Sequence, residues 1–200
     1  VPFPACDLLP VKKYNDVFTQ HPHFVTMLAT RGCPFRCTFC DRENRMGRAW
    51  RMRSPENVVR EMRMIHDKYG ISEFMFFDDN FIVDQKWVLD FCREVEPFHF
   101  LWEVRARVDM VDLPLLQAMR KAGCYRIRYG MESSDNLTLK LIQKDITVEQ
   151  IRKCAEASHK SKIEIFAYFM LGLPEENQVK MQKTLDLAVE IDPDFVIFSK

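Results

Sequence analysis

Three of the chain's seven cysteines, Cys33, Cys37 and Cys40, fall within eight positions of the stretch "RGCPFRCTFC". A thiolate is a soft ligand, and a C-x3-C-x2-C spacing in a loop lets three sulfurs wrap one metal centre. As small core hydrophobes, three cysteines so close together in a loop would be an odd packing choice. Structural zinc normally takes four ligands, commonly as paired C-x2-C units; no second pair exists, although a distant His or Asp would complete such a site. A ferredoxin-type carrier needs four cysteine ligands, and Cys6, Cys92, Cys124 and Cys154 lie on unrelated segments. What remains is a [4Fe-4S] cluster with three protein ligands and one iron left open. An open coordination position separates a catalytic metal from a structural one.

The loop must be held by regular elements, and the chain alternates short β-rich runs with longer runs of helical spacing. The strands expected are "FVTMLATR" at 24–31, "SEFMFF" at 72–77, "FLWEVRARV" at 100–108, "YRIRYGM" at 125–131, "IEIFAYFML" at 163–171 and "DFVIFS" at 194–199. Between them, Ser54 and Pro55 open a helix whose apolar stripe is Val58, Met62, Ile65 and Tyr69 and which Gly70 stops. Asp112 caps "LPLLQAMRKAG", Thr147 and Gln150 form a capping box, and residues 178–190 make a further helix. Such alternation without hairpin signals predicts βαβ crossovers and a parallel sheet.

Strand faces choose between the architectures. Alternation puts Trp102, Val104, Ala106 and Val108 on one face and Glu103, Arg105 and Arg107 on the other. In the next strand it puts Tyr125, Ile127, Tyr129 and Met131 opposite Arg126, Arg128, Gly130 and Glu132. An open sheet covered on both sides should be apolar on both faces. One charged face fits an open or partial barrel with a wet or ligand-filled interior, the alternative being strands at a sheet edge. In α/β barrels the C-terminal edge, where the cysteine loop begins, is where sites are built.

"CPFRCTFC" resembles the C-x3-C-x-aromatic-C signature of the radical S-adenosylmethionine (SAM) superfamily. "FMFFDDNF", "GMESSDN" and "YFMLGLPEE" resemble that family's SAM-contact segments in the same order, over about residues 24–200. The resemblance implies a partial (β/α)6 TIM-like barrel, truncated at its sixth strand. It makes Cys33, Cys37 and Cys40 the cluster ligands, with SAM on the fourth iron. Reductive cleavage of SAM would then yield a 5'-deoxyadenosyl radical acting on a small organic substrate. The rival reading is a noncatalytic iron-sulfur electron-transfer or metal-binding module.

The resemblance also implies roles for other residues. Phe39 would lie near the adenine, and Asp78 and Asp79 stand where many members carry Gly-Gly-Glu for the SAM amino group; an Asx turn is the alternative. Arg107 would pair the SAM carboxylate, with Arg105 on the same face and an ion pair to Glu103 or Glu132 as the structural alternative. Glu132 and Ser133 match the ribose segment, and Gly172 would let backbone approach the ligand. Glu175 replaces the glycine of the usual "GLPGE", which questions any turn needing positive φ there. "RSPENVVREM", "FFDDNF" and "ARVD" resemble the branch that carries an N-terminal cobalamin-binding domain, so cobalamin would come from a domain outside this chain. Residues 1–23 resemble the linker that follows it, and 24–200 the core domain of a longer protein.

Lys+Arg and Asp+Glu both number 29, so no net field draws the chain to nucleic acid or an acidic membrane. The five arginines Arg42, Arg45, Arg48, Arg51 and Arg53 would bind phosphate or carboxylates, or form a solvated loop paired with acids. Nucleic acid is disfavoured because the charge stays local. No apolar run is long enough to span a membrane and no signal peptide is evident, so a cytoplasmic, reducing setting is expected, with flavodoxin or ferredoxin as electron donor.

Overall fold

The computed structural model describes residues 2–41 and 46–200. Each predicted strand is found, and one of them divides. β1 (Val25–Met27) enters the main sheet, whereas β2 (Thr30–Arg31) leaves it to pair antiparallel with β3 (Arg51–Met52). The division lies where the side chain of Asp78 takes the N–H groups of Ala29 and Thr30, diverting the backbone from the ladder. The rest of the sheet comprises β4 (Glu73–Phe76), β5 (Leu101–Arg107), β6 (Cys124–Glu132), β7 (Glu164–Met170) and β8 (Phe195–Ser199). The order is β1-β4-β5-β6-β7-β8, every pair is parallel, and β1 and β8 pair on one side only, so the six-stranded sheet stays open.

Helices α1 (Pro55–Tyr69), α2 (Gln85–Val95), α3 (Leu113–Lys121), α4 (Asn136–Leu141), α5 (Val148–Ser161) and α6 (Gln178–Glu190) alternate with these strands. The Ser54 and Asp112 caps and the Thr147–Gln150 capping box form as expected. Helices α2 and α4 are additional, each opened by an aspartate, Asp84 and Asp135, that accepts from the third residue on. The helices cover one face: the Phe91 ring of α2 meets Trp102 of β5 edge-on at 5.2 Å, and Tyr129 Oη of β6 bonds Ser158 Oγ of α5 at 3.1 Å.

The opposite face is charged and internal. β5 and β6 lie in the middle of the sheet, not at its edge. Glu103 accepts from Arg128 Nε at 2.7 Å and from Arg126 Nη1 at 3.1 Å, and Arg126 also binds Glu164 at 2.6 Å through Nη2. One side chain changes sides relative to strict alternation. The register slips between Trp102 and Glu103, leaving Tyr125 as the extra residue. Its hydroxyl donates to Glu73 of β4 at 2.6 Å, past β5, which the concave face of a curled sheet allows. Residues 18–21 close the N-terminal end of that face: Phe18 O accepts from Arg126, and Gln20 N and His21 N donate to Glu73.

Candidate functional site

The cysteine loop leaves β2 at the C-terminal edge of the sheet. Cys33 is buried, Cys37 half-buried and Cys40 exposed. Backbone bonds brace it on two sides, Cys33 N to Gly47 O at 3.3 Å and Thr38 N to Ile142 O at 2.9 Å. Two cations act on Cys37, one of them in contact with it. Arg107 Nη1 lies 3.7 Å from its Sγ. Burial pushes the Cys37 thiol above its ordinary range, and Lys144 and Arg107 work against that rise. The remaining cysteines belong to the core: burial pushes Cys92 and Cys154 up to about 12 and Cys124 well above its usual value. Among the described residues, no three His, Cys, Asp or Glu side chains stand together as a ready ion site. Three thiols from one loop, one of them flanked by buried cations, nonetheless suit an anionic iron-sulfur group, since cations favour the thiolates it needs.

Arg107 is buried and fully engaged. It binds Asp109 through Nε at 2.9 Å and Nη2 at 3.0 Å, donates from Nη2 to Lys144 O at 2.6 Å, and stacks 3.8 Å from the Phe35 ring centroid. Neither expected ion-pair partner, Glu103 or Glu132, is the one it uses; its remaining nitrogen faces Cys37. Glu132 instead pairs with Lys144 at 2.8 Å, both nearly buried. The pair crosses directly over Gly130, where a Cβ would lie 2.4 Å from Glu132 Oε1 and 2.7 Å from Lys144 Nζ, so a larger residue there would displace the pair. Arg105 stands over the Phe77 ring at 4.1 Å.

Asp78 faces inward. It has no exposed surface, and its two carboxylate oxygens serve Ala29 N, Thr30 N and Thr30 Oγ1, so it anchors the start of the cysteine loop and no ammonium reaches it from outside. The Asx turn of this segment is made by Asn80, which accepts from Ile82 N, and Asp79 is the half-buried member of the pair. Burial holds the Asp78 carboxyl at about 6, against the hydrogen bonds from Thr30 and Ala29. An unfolded aspartate titrates near 3.9, so the fold carries an extra proton between about pH 4 and 6. Stability is full below that window and declines as pH rises through about 6, by up to about 3 kcal/mol at 1.36 kcal/mol per unit. The difference in unfolding free energy between the native protein and Asp78→Asn should change by that amount between about pH 4 and 7, read by urea denaturation. A constant difference would contradict it.

Ser133 and Gly172 come together through a residue absent from the expected set. Glu176 accepts from Ser133 Oγ at 3.0 Å and from Gly172 N and Leu173 N at 2.9 and 3.0 Å. The turn keeps its left-handed geometry despite Glu175, with φ 82° at Gly172 and 64° at Glu175. Open space lies where a Gly172 Cβ would point. Phe39 is 40% exposed, its ring centroid 6.0 Å from Lys144 Nζ. Of the arginine run, Arg42 and Arg45 lie outside the described residues, Arg48 and Arg51 are exposed, and Arg53 turns inward to Glu61 at 2.6 Å and Asn57 Oδ1 at 2.8 Å.

Lys144, Asp109, Phe35 and Glu176 are the site residues that sequence reasoning misses. Lys144 sits in an ordinary-looking inter-helix loop, whereas Glu176 belongs to the doubled acid of "GLPEE", Asp109 to "ARVD" and Phe35 to "CPFRCTFC", none of them singled out within its motif.

The Radical SAM superfamily model matches residues 27–188. The chain belongs to the radical SAM superfamily. This radical SAM chain is 31% identical to an uncharacterized methyltransferase of Pyrococcus horikoshii, over 100% of the chain and 43% of that protein. It is 30% identical to the anaerobic magnesium-protoporphyrin IX monomethyl ester cyclase of Rubrivivax gelatinosus, over 82% of the chain and 30% of that protein. The radical SAM chain thus spans less than half the length of either relative. Its fold matches the structure of the radical SAM methyltransferase TsrM from Kitasatospora setae with cobalamin and [4Fe-4S] cluster bound, with a TM-score of 0.81 at 18% identity, over 88% of the chain and 36% of that one. The open six-stranded sheet is therefore the partial barrel of this superfamily. No helix among the described residues is long and apolar enough to cross a membrane.

Proposed function

We propose that this chain is the SAM-binding core of a radical SAM enzyme from the cobalamin-linked branch, acting on a small organic substrate. The observation that carries the reading is the buried Arg107 guanidinium 3.7 Å from Cys37 Sγ, in a three-cysteine loop at the edge of the sheet where barrel sites form. Cys33, Cys37 and Cys40 would hold a [4Fe-4S] cluster, with SAM across Phe39, Asp79, Glu132, Ser133 and Gly172. When bound, the pair supplies reductive cleavage of SAM to methionine and a 5'-deoxyadenosyl radical that takes hydrogen from the substrate. The chain's own residues bind and orient. Asp78 fixes where the cysteine loop starts, Thr38 and Arg107 fix where Cys37 stands, and Glu176 shapes the turn at Gly172 and Ser133. The relatives' names, methyltransferase and cyclase, support methyl transfer or ring closure. Cobalamin would come from a domain outside these residues, and the electron from a flavodoxin- or ferredoxin-type donor.

Anaerobic reconstitution with iron and sulfide tests the reading. The EPR spectrum of the reduced cluster should change when SAM is added, because SAM reaches the iron that no cysteine holds. A spectrum indifferent to SAM would favour an electron carrier, and stoichiometric zinc in anaerobically purified protein a structural metal domain; either outcome ends the proposal.

A further inference from the structure

We infer that Lys144 and Glu132 form an opposed pair that sets the reduction potential of the metal centre at Cys37, with Lys144 raising it and Glu132 lowering it. This rests on the cluster reading above. Lys144 occupies a turn between α4 and α5 whose neighbours Gln143 and Asp145 both adopt left-handed backbone, φ 52° and 53°. Non-glycine residues rarely take that conformation, and two flanking one lysine point to a backbone held by its surroundings. The turn is tied to three elements. Ile142 O accepts from Thr38 N, next to Cys37. Lys144 O accepts from Arg107 of β5. Lys144 Nζ donates to Glu132 of β6 at 2.8 Å.

Charge is placed with the same order. The Arg107–Asp109 and Lys144–Glu132 pairs are each neutral as a whole, but both cationic ends reach the cysteine loop: Arg107 Nη1 lies 3.7 Å from Cys37 Sγ, and Lys144 Nζ lies 6.0 Å from the ring centroid of Phe39, the residue before Cys40. Lys144 and Glu132 side chains are only 8% and 7% exposed, so water screens their charges poorly. Adding one electron to the cluster adds one negative charge, which a poorly screened cation stabilises and an anion opposes. Net charge around a cluster is a general determinant of its potential. In a titration the electron would come from dithionite through a mediator, and the cluster would pass from the 2+ to the 1+ state.

The experiment is a mediated redox titration of anaerobically reconstituted protein without SAM, read by EPR, with iron and sulfide content of every variant measured. At a fixed potential, Lys144→Met should lower the ratio of reduced to oxidised cluster about tenfold, a shift of about 59 mV for one electron. Glu132→Gln, which keeps an acceptor for Lys144, should raise the ratio. Lys144→Arg should stay near the native value, and the double variant Lys144→Met/Glu132→Gln should fall between the single ones. Should Lys144→Met load no cluster because Glu132 is left buried and unpaired, Glu132→Gln and the double variant decide the question by the sign of their difference. Shifts of Lys144→Met and Glu132→Gln in the same direction, or none in any loaded variant, would overturn the inference while leaving the cluster in place. Absence of a cluster from the native protein would overturn the proposed function itself.

Discussion

The Cys37→Ala protein is expected to take up iron and sulfide only at background level after anaerobic reconstitution, whereas Cys154→Ala should load as the native protein does. Cys37 stands in the loop at the sheet edge with the Arg107 guanidinium on its sulfur, and the charges of Arg107 and Lys144 favour its anion, the arrangement that suits a bound thiolate. Cys154 lies 2% exposed among the core residues, and burial pushes its thiol up to about 12. Its removal leaves a small cavity costing about 1–2 kcal/mol, a change in melting temperature and not in metal content. Iron and sulfide assays with circular dichroism on the same samples separate the two effects. Equal loss of loading from both replacements would sink the ligand assignment.

The second large effect is on the fold. Glu103→Ala should destabilise the protein by about 3–5 kcal/mol, the range for breaking a buried ion pair, a large part of the 5–15 kcal/mol that holds most domains folded. Glu103 is 1% exposed and is shared by Arg126 and Arg128, which are themselves buried. Arg126 retains Glu164 and Phe18 O, so the deficit falls mostly on Arg128, whose Nη2 already lacks a partner. Glu103→Gln keeps an acceptor and should cost less, giving a graded measurement if the alanine protein does not fold. Urea denaturation reads both, and a loss below about 1 kcal/mol for alanine would mean the network behaves like an exposed ion pair.

Local chemistry explains which features were readable in advance. Ser54, Pro55 and Gly70 act within one or two turns of α1, so their identities suffice to place its ends. The charged face of β5 and β6 follows from period-two alternation along each strand, and it correctly pointed to an internal polar surface. The same rule misplaces Tyr125, because a bulge depends on the neighbouring strand's register. The strand expected at 24–31 divides for a related reason: the carboxylate that diverts Ala29 and Thr30 arrives from Asp78, nearly fifty residues on.

By itself the sequence determined the order of the six main-sheet strands, the parallel α/β class and the separation of Cys33, Cys37 and Cys40 from the other cysteines, because each depends on residues near one another along the chain. The tertiary structure alone decided what surrounds those cysteines. Asp78 looks like a ligand contact in "FFDDNF", yet it is enclosed and anchors the loop. Lys144 looks like a surface residue in "LIQKDIT", yet it is buried against Glu132 and Arg107. Burial and long-range pairing set the charge state and direction of such groups, and both arise only when segments far apart in the chain enclose them.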